Sequence, residues 1–198
     1  MSSPSSGPSV GVFCGSRAGL RADYVALARE FGSMLATRHA GLVYGAGGSG
    51  VMGALADAVL TGGGRVTGVI PQMLYDRERP DLGRGEVYLV RNMHERKELM
   101  YRLSSAFAVL PGGLGTLDEL MEVATWNQLA IIEKPIVVVN YRGFFDPMFA
   151  MLDHLVAEGF LSVKERKLIR MARDAADALD TLDTLALDRA ELQALASA

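Results

Sequence analysis

Short runs of consecutive apolar residues alternate along this chain with longer stretches in which apolar positions recur every three or four residues. The first pattern suits strands buried on both faces; the second suits helices with one buried side. Ser9 to Cys14 predicts a strand ending at Gly15-Ser16. Arg21 to Arg38 predicts a helix with Tyr24, Leu27, Ala28, Phe31 and Leu35 on one side. Leu42 to Tyr44 predicts a short strand that enters a glycine-rich turn. Val51 to Leu60 predicts a small-residue helix stopped by Gly62, Gly63 and Gly64. Arg65 to Ile70 and Glu86 to Val90 read as strands. Between them, Gln72 to Gly85 is rich in charge, Pro and Gly and reads as a loop. Asn92 to Leu103 predicts a helix capped by Asn92, with Glu95 at the capping-box position. Ala106 to Leu110 is a buried-strand run cut off by Pro111-Gly112-Gly113, and Thr116 to Leu129 follows as helix. Pro135 to Asn140 predicts another buried strand, Phe145 to Glu158 a helix, Lys167 to Met171 an edge strand and Asp174 to Leu185 a last helix.

Continuous apolar strands separated by helices imply a Rossmann-like, doubly wound parallel α/β sheet with helices on both faces. The 198 residues fit a single domain, residues 10–198, behind a short mobile tail, residues 1–9. In such sheets ligands bind beyond the carboxyl ends of the strands. Gly15-Ser16, Gly45 to Gly53 and Pro111 to Glu119 all follow strand ends, so they are expected to converge on one crevice.

Composition narrows the function. Twenty Lys and Arg against 23 Asp and Glu leave a formal charge of −3, without the basic stripe of a nucleic-acid binder. No apolar run approaches the roughly 18 residues of a membrane span, and the first nine residues lack the apolar core of a signal peptide. One cysteine, Cys14, excludes an internal disulfide. His39, His94 and His154 lie far apart, without metal-ligand spacing. The expectation is a cytoplasmic protein with no metal or other cofactor. Glycine is the anomaly, at 22 of 198 residues, and it is clustered in the turns.

Gly45-Ala46-Gly47-Gly48-Ser49-Gly50 fits GxGxxG, but on the second strand, and the next strand ends Ile70-Pro71-Gln72 without an acid to hold a ribose. Dinucleotide binding is disfavoured. An anion-binding turn and a plain tight turn both remain open. Pro111-Gly112-Gly113-Leu114-Gly115-Thr116 is more specific: adjacent N–H groups and a hydroxyl precede a helix and can meet one phosphate. No GK[ST] follows, so it is not a triphosphate-binding P-loop. Thr116-x-x-Glu119 also fits a capping box, in which Glu119 would only bond the cap residue. Arg96 and Lys97 open a helix, where cations are mildly unfavourable. They suit an anionic ligand, or form a solvated pair offset by Glu95 and Glu98. Glu78 alone is uninformative.

Taken together the motifs are distinctive. Pro111 to Glu119 fits PGGxGTxxE, and Arg96 lies 23 residues upstream within Met93-His-Glu-Arg-Lys97. Thr125-Trp-Asn-Gln-Leu129, Lys134-Pro135, Phe13-Cys-Gly-Ser16, Tyr44-Gly-Ala-Gly47 and Gly50-Val-Met-Gly53 complete the set. From Val10 to Met171 the chain resembles the Lonely Guy (LOG) family of cytokinin riboside 5′-monophosphate phosphoribohydrolases.

The resemblance implies hydrolysis of the N-glycosidic bond of a nucleoside 5′-monophosphate, giving an adenine-type base and ribose 5-phosphate. It implies a homodimer with sites near the subunit interface. Residue by residue it implies Arg96 and Glu119 as the catalytic pair. Glu78, Lys97, the turn Gly113, Leu114, Gly115, Thr116, Leu117, Asp118, Glu119, and Thr125 match its substrate contacts. The glycine turns add Gly15, Ser16, Gly45, Gly47 and Gly112 as phosphate-side candidates. Some relatives carry a lysine decarboxylase label, an activity that needs a pyridoxal-phosphate lysine which no motif here supplies. The chain departs from the family's usual Gly at Ala46, Asp at Ser105 and His at Ile132. A molybdenum-cofactor carrier and a general AMP nucleosidase are the alternative readings.

Overall fold

A computed structural model describes residues 7–78 and 85–196, and the side chains of 7–75 and 85–187. Among the described residues, seven strands form one sheet: β1 (Ser9–Phe13), β2 (Gly41–Tyr44), β3 (Val66–Pro71), β4 (Glu86–Val90), β5 (Ala106–Val109), β6 (Ile136–Val139) and β7 (Ile169–Ala172). Their order is β4-β3-β2-β1-β5-β6-β7, and every pairing is parallel. The helices are α1 (Ala22–Thr37), α2 (Gly50–Thr61), α3 (Gln72–Glu78), α4 (Met93–Leu103), α5 (Leu114–Gln128), α6 (Asp146–Ala157), α7 (Val163–Arg166) and α8 (Ala175–Ala196). The expected doubly wound architecture is present.

The period-two side-chain alternation of a strand divides the apolar residues between two cores. Val10 and Val12, Leu42 and Tyr44, Ala108 and Leu110, and Val137 and Val139 pack under α1, α2 and α8. Phe13, Val43, Phe107, Val109, Ile136 and Val138 pack under α4, α5 and α6. Burial of side chains such as Phe31 and Phe107, each worth about 1.5–3 kcal/mol, holds helices on both faces.

The differences from the sequence reading are local. Gln72 to Glu78 is helix α3, not loop; the rest of that expected loop, through residue 84, lies outside the described residues. Helix α5 begins at Leu114 with Gly113 as its N-cap, so Thr116 lies inside the first turn and caps nothing. The capping-box reading of Thr116 and Glu119 therefore does not hold. At α4, Asn92 Oδ1 accepts the Glu95 N–H at 3.0 Å, but Glu95 Oε2 takes the N–H of Arg91 instead of Asn92. Helix α7, with a full Ser162–Glu165 capping box, is a further addition, and α8 runs beyond Leu185 to Ala196. Of the expected tail, residues 1–6 lie outside the described residues. Pro8 O accepts the Gly41 N–H at 2.9 Å, and Ser9 already belongs to β1.

Candidate active site

Strands β1 and β5 are neighbours, yet β1 leads to α1 on one face and β5 to α5 on the other. That divergence opens a crevice above their carboxyl ends. The Gly15 N–H donates to Pro111 O at 3.1 Å and ties the two turns together. Gly112 must lack a side chain, because a Cβ there would overlap Thr116 Oγ1 and come within 2.8 Å of Gly15 N. At Gly113 and Gly115 a Cβ would meet nothing within 4 Å. The free N–H groups of the first turn of α5 face this open space, carrying the partial positive charge of a helix N-terminus.

The glycine turn after β2 serves a different purpose. At the start of α2, the Val51 N–H donates to Arg17 O at 3.4 Å and the Met52 N–H to Gly15 O at 3.0 Å. The Gly47 N–H donates to Met52 Sδ at 3.2 Å. The first two brace the turn after β1, and all three are engaged within the protein. Gly45 has another role: a Cβ there would overlap the Arg96 guanidinium, whose Nη2 donates to Gly45 O at 3.3 Å. Ala46, where the family usually has Gly, is buried at φ +59°, a left-handed conformation that costs a non-glycine residue about 1–2 kcal/mol.

Arg96 and Glu119 are both buried, and Arg96 Nη2 stands 3.9 Å from Glu119 Oε1. The solvated-pair reading of Arg96 and Lys97 fails: their side chains are 10 % and 12 % exposed. Arg96 Nη1 points to Met93 Sδ at 3.8 Å, while Nε is buried with no partner among the described residues. A buried N–H left without a partner costs about 1–3 kcal/mol, which marks this donor out within the pair. Burial pushes the Glu119 carboxyl up to about 7; Arg96 and Lys97 pull it down, and Asp118 and Glu122 push it up. Burial also pushes the Cys14 thiol above its ordinary range, so Cys14 stays neutral at the cavity wall.

The crevice is a cavity of about 610 Å³, within the usual range for small-ligand sites. It brings together Gly15, Ser16, Gly45, Arg96, Gly112, Gly113, Leu114, Gly115, Thr116, Asp118 and Glu119. Lys97, Leu117 and Thr125 lie outside its walls, in a groove along α5 with Leu114, Met121 and Trp126. Lys97 is engaged there by Glu122 at 2.6 Å and Asp118 at 3.2 Å. Thr125 Oγ1 donates to Met121 O at 2.8 Å. Gly47 lines a smaller cavity behind the β2 turn. Glu78 ends α3, and its side chain lies outside the described residues. Sequence reasoning missed Arg17, Met93, Tyr24 and Phe144, which also line the main cavity. Arg17 directly follows Gly15-Ser16, which was a usable signal. Tyr24 and Phe144 meet edge to face at 5.4 Å from distant parts of the chain, and nothing local marks them. Among the described residues no three His, Cys, Asp or Glu are grouped to hold a metal ion. No helix among them is long and apolar enough to cross a membrane.

The open space over α5 predicts a contrast between two glycines. Gly112→Ala should lower the melting temperature by several degrees, because its Cβ forces the turn apart. Gly115→Ala should melt like the parent, but its Cβ enters the space expected to take a phosphate, so binding of a nucleoside 5′-monophosphate should weaken at least about tenfold. Calorimetric melting and nucleotide titration of both variants check this.

A family model described as possible lysine decarboxylase matches residues 52–182. A rice protein, "Probable cytokinin riboside 5′-monophosphate phosphoribohydrolase LOGL1" of Oryza sativa subsp. japonica, is 48 % identical over 158 residues, covering 80 % of this chain and 71 % of its own. The chain belongs to the Lonely Guy family. A second family member, the cytokinin riboside 5′-monophosphate phosphoribohydrolase LOG1 of Arabidopsis thaliana, is 46 % identical over 80 % of this chain and 74 % of its own. The Moco carrier protein of Chlamydomonas reinhardtii shares the fold with this Lonely Guy chain at a TM-score of 0.67. Its identity is 19 %, over 91 % of this chain and 98 % of the carrier.

Proposed function

We propose that the protein hydrolyses the N-glycosidic bond of cytokinin riboside 5′-monophosphates, and of AMP, to free base and ribose 5-phosphate. The observation that carries this reading is the buried Arg96–Glu119 pair beside an open helix N-terminus in one cavity. A carrier that only grips a phosphate gains nothing from a buried carboxylate, whose charge repels the ligand. A decarboxylase would need a pyridoxal-phosphate lysine, and among the described residues no lysine lines the cavity.

The 5′-phosphate sits on the N–H groups of Gly113, Leu114, Gly115 and Thr116, with Arg17 and Ser16 opposite. Binding the phosphate this way fixes the ribose and supplies positioning. As the C1′–N bond breaks, its electron pair leaves with the base and positive charge grows on the sugar. The Glu119 carboxylate stabilises that charge and orients the attacking water, whose oxygen bonds C1′. The base nitrogen takes a proton and the water gives one up, so the step balances. The Arg96 guanidinium stays charged and holds Glu119 in place through Nη2. The family resemblance assigns the ribose hydroxyls to Glu78. The products test the reaction: base and ribose 5-phosphate should appear in equal amounts, and appearance of nucleoside with inorganic phosphate would exclude it.

The assembly is a homodimer packed through the α5 groove. Support comes from Leu114, which is 87 % exposed beside Met121 and Trp126, and from Lys97 and Thr125, which face that groove and not the cavity. Met121→Glu should therefore halve the mass seen by sedimentation; a parent protein already sedimenting as one chain contradicts the dimer. A cytoplasmic setting fits the single, buried Cys14.

A further inference from the structure

Beside the Arg96–Glu119 pair lies a polar cluster centred on Glu122, a residue outside the quoted family motifs and the cavity walls. Glu122 lies on α5, three residues after Glu119 and so on the same side of the helix. Its Oε2 accepts from two groups of α4 at once: Lys97 Nζ at 2.6 Å and the Tyr101 hydroxyl at 2.8 Å. Both donors are held in place. The Lys97 side chain is 12 % exposed and bonds Asp118 as well, while the Tyr101 ring is fully enclosed, edge-on to Phe13, Phe107 and Trp126. Arg96 is the immediate neighbour of Lys97 on α4. The cluster thus ties the helix that carries Arg96 to the helix that carries Glu119, one layer behind the cavity.

We propose that Glu122 is a positioning residue for the reaction, clamping α4 to α5 through Lys97 and Tyr101 and so fixing the Arg96–Glu119 geometry. The proposal rests on the hydrolase reading above and adds a residue to it. A clamp of this kind acts in two ways. It sets the distance between guanidinium and carboxylate, and it places one negative and one positive charge near Glu119. The charged and titratable groups facing Glu119 are Arg96, Lys97 and Tyr101 from α4, Asp118 and Glu122 from α5, and Cys14 from the end of β1. Burial works against the charge on Lys97, yet Glu122 and Asp118 outweigh it and hold the ammonium above its ordinary value. Lys97 therefore remains a cation throughout the working range. Removing the Glu122 charge lowers the carboxyl of Glu119, because a like charge has gone and Lys97 is less neutralised. Removing the Lys97 charge moves it the other way.

The test compares wild type, Glu122→Gln and Lys97→Met. The titration of Glu119 is followed by NMR on protein labelled with ¹³C in its Glu carboxyls, and kcat and KM for AMP are measured on the same samples. The NMR titration needs no turnover, so it stays informative if AMP proves not to be a substrate; absence of base release from wild type would count against the hydrolase reading alone. The expected result is a Glu119 midpoint lower by about half a pH unit in Glu122→Gln and higher by a similar amount in Lys97→Met. Glu122→Gln should also lose about tenfold in kcat, with KM changed less than about twofold. A midpoint unmoved in both variants, or a Glu122→Gln kcat within about twofold of wild type, overturns the proposal. A purely structural role for Glu122 would lower the melting temperature and leave kcat in place. If Glu122→Gln does not melt cooperatively, Tyr101→Phe, which keeps the ring packing and removes one bond of the clamp, should show the kcat loss in its place.

Discussion

Glu119→Gln is expected to abolish base release, by a factor on the order of 10³, and at the same time to stabilise the protein at pH 8. Both effects come from burial of the same carboxyl. The proposed mechanism needs the ionised form, and the amide cannot supply its charge to a cationic transition state. For stability the sign follows from the titration. Burial raises the folded carboxyl from 4.5 to about 7, with Arg96 only partly opposing it. Below about 4.5 the folded and unfolded carboxyls are both protonated and nothing is lost. Between 4.5 and 7 the unfolded chain ionises while the folded one keeps its proton, so stability declines as pH rises through that window. Above 7 the loss is complete, up to about 3 kcal/mol. The amide avoids it. The variant should therefore melt up to roughly 10 °C above wild type at pH 8, with no gain at pH 4. The same titration makes wild-type turnover rise with pH and reach half its maximum near 7. Equal melting temperatures at pH 8 would contradict the burial argument, and near-normal turnover would remove Glu119 from the reaction.

Arg96→Met is expected to lower kcat on the order of 10²-fold at pH 7 while the protein remains folded. Methionine keeps most of the buried volume and removes the charge and the Nη2 donor to Gly45 O. The loss has two sources. The guanidinium that holds Glu119 in place is gone, and Glu119 is left without the cation that lowers its carboxyl, so its midpoint moves upward. The signature is in the profile: activity should recover partly at about pH 8.5, because more of Glu119 is ionised there. Glu119→Gln should show no such recovery. A uniform loss across pH would mean that Arg96 acts by contact alone.

The fold was legible in the sequence because its strands are buried on both faces and so appear as unbroken apolar runs. A run such as Ile136-Val137-Val138-Val139, short, β-branched and bounded by Pro135 and Asn140, has no other simple home. The switch point was legible for a related reason: the turns after β1 and β5 stood out as glycine clusters at the ends of such runs. What was not legible depends on distance in space. Whether Lys97 meets a ligand or Glu122 is decided by how α4 lies on α5, and a local spacing carries no such information. The two glycine turns look alike as strings, yet one has its donors occupied by Arg17 O and Gly15 O and the other leaves them open. The capping-box alternative at Thr116 failed because α5 starts two residues earlier, at Leu114, where Gly113 can take the extended N-cap conformation.

Base release in this cavity is expected from nucleoside 5′-monophosphates and to require the phosphate. The most direct measurement is chromatography of the products after incubation with AMP and with isopentenyladenosine 5′-monophosphate, each beside its own nucleoside. Free adenine and free isopentenyladenine are expected from the two monophosphates, and none from the nucleosides. No base from any of the four, or equal release from nucleoside and monophosphate, would contradict that expectation.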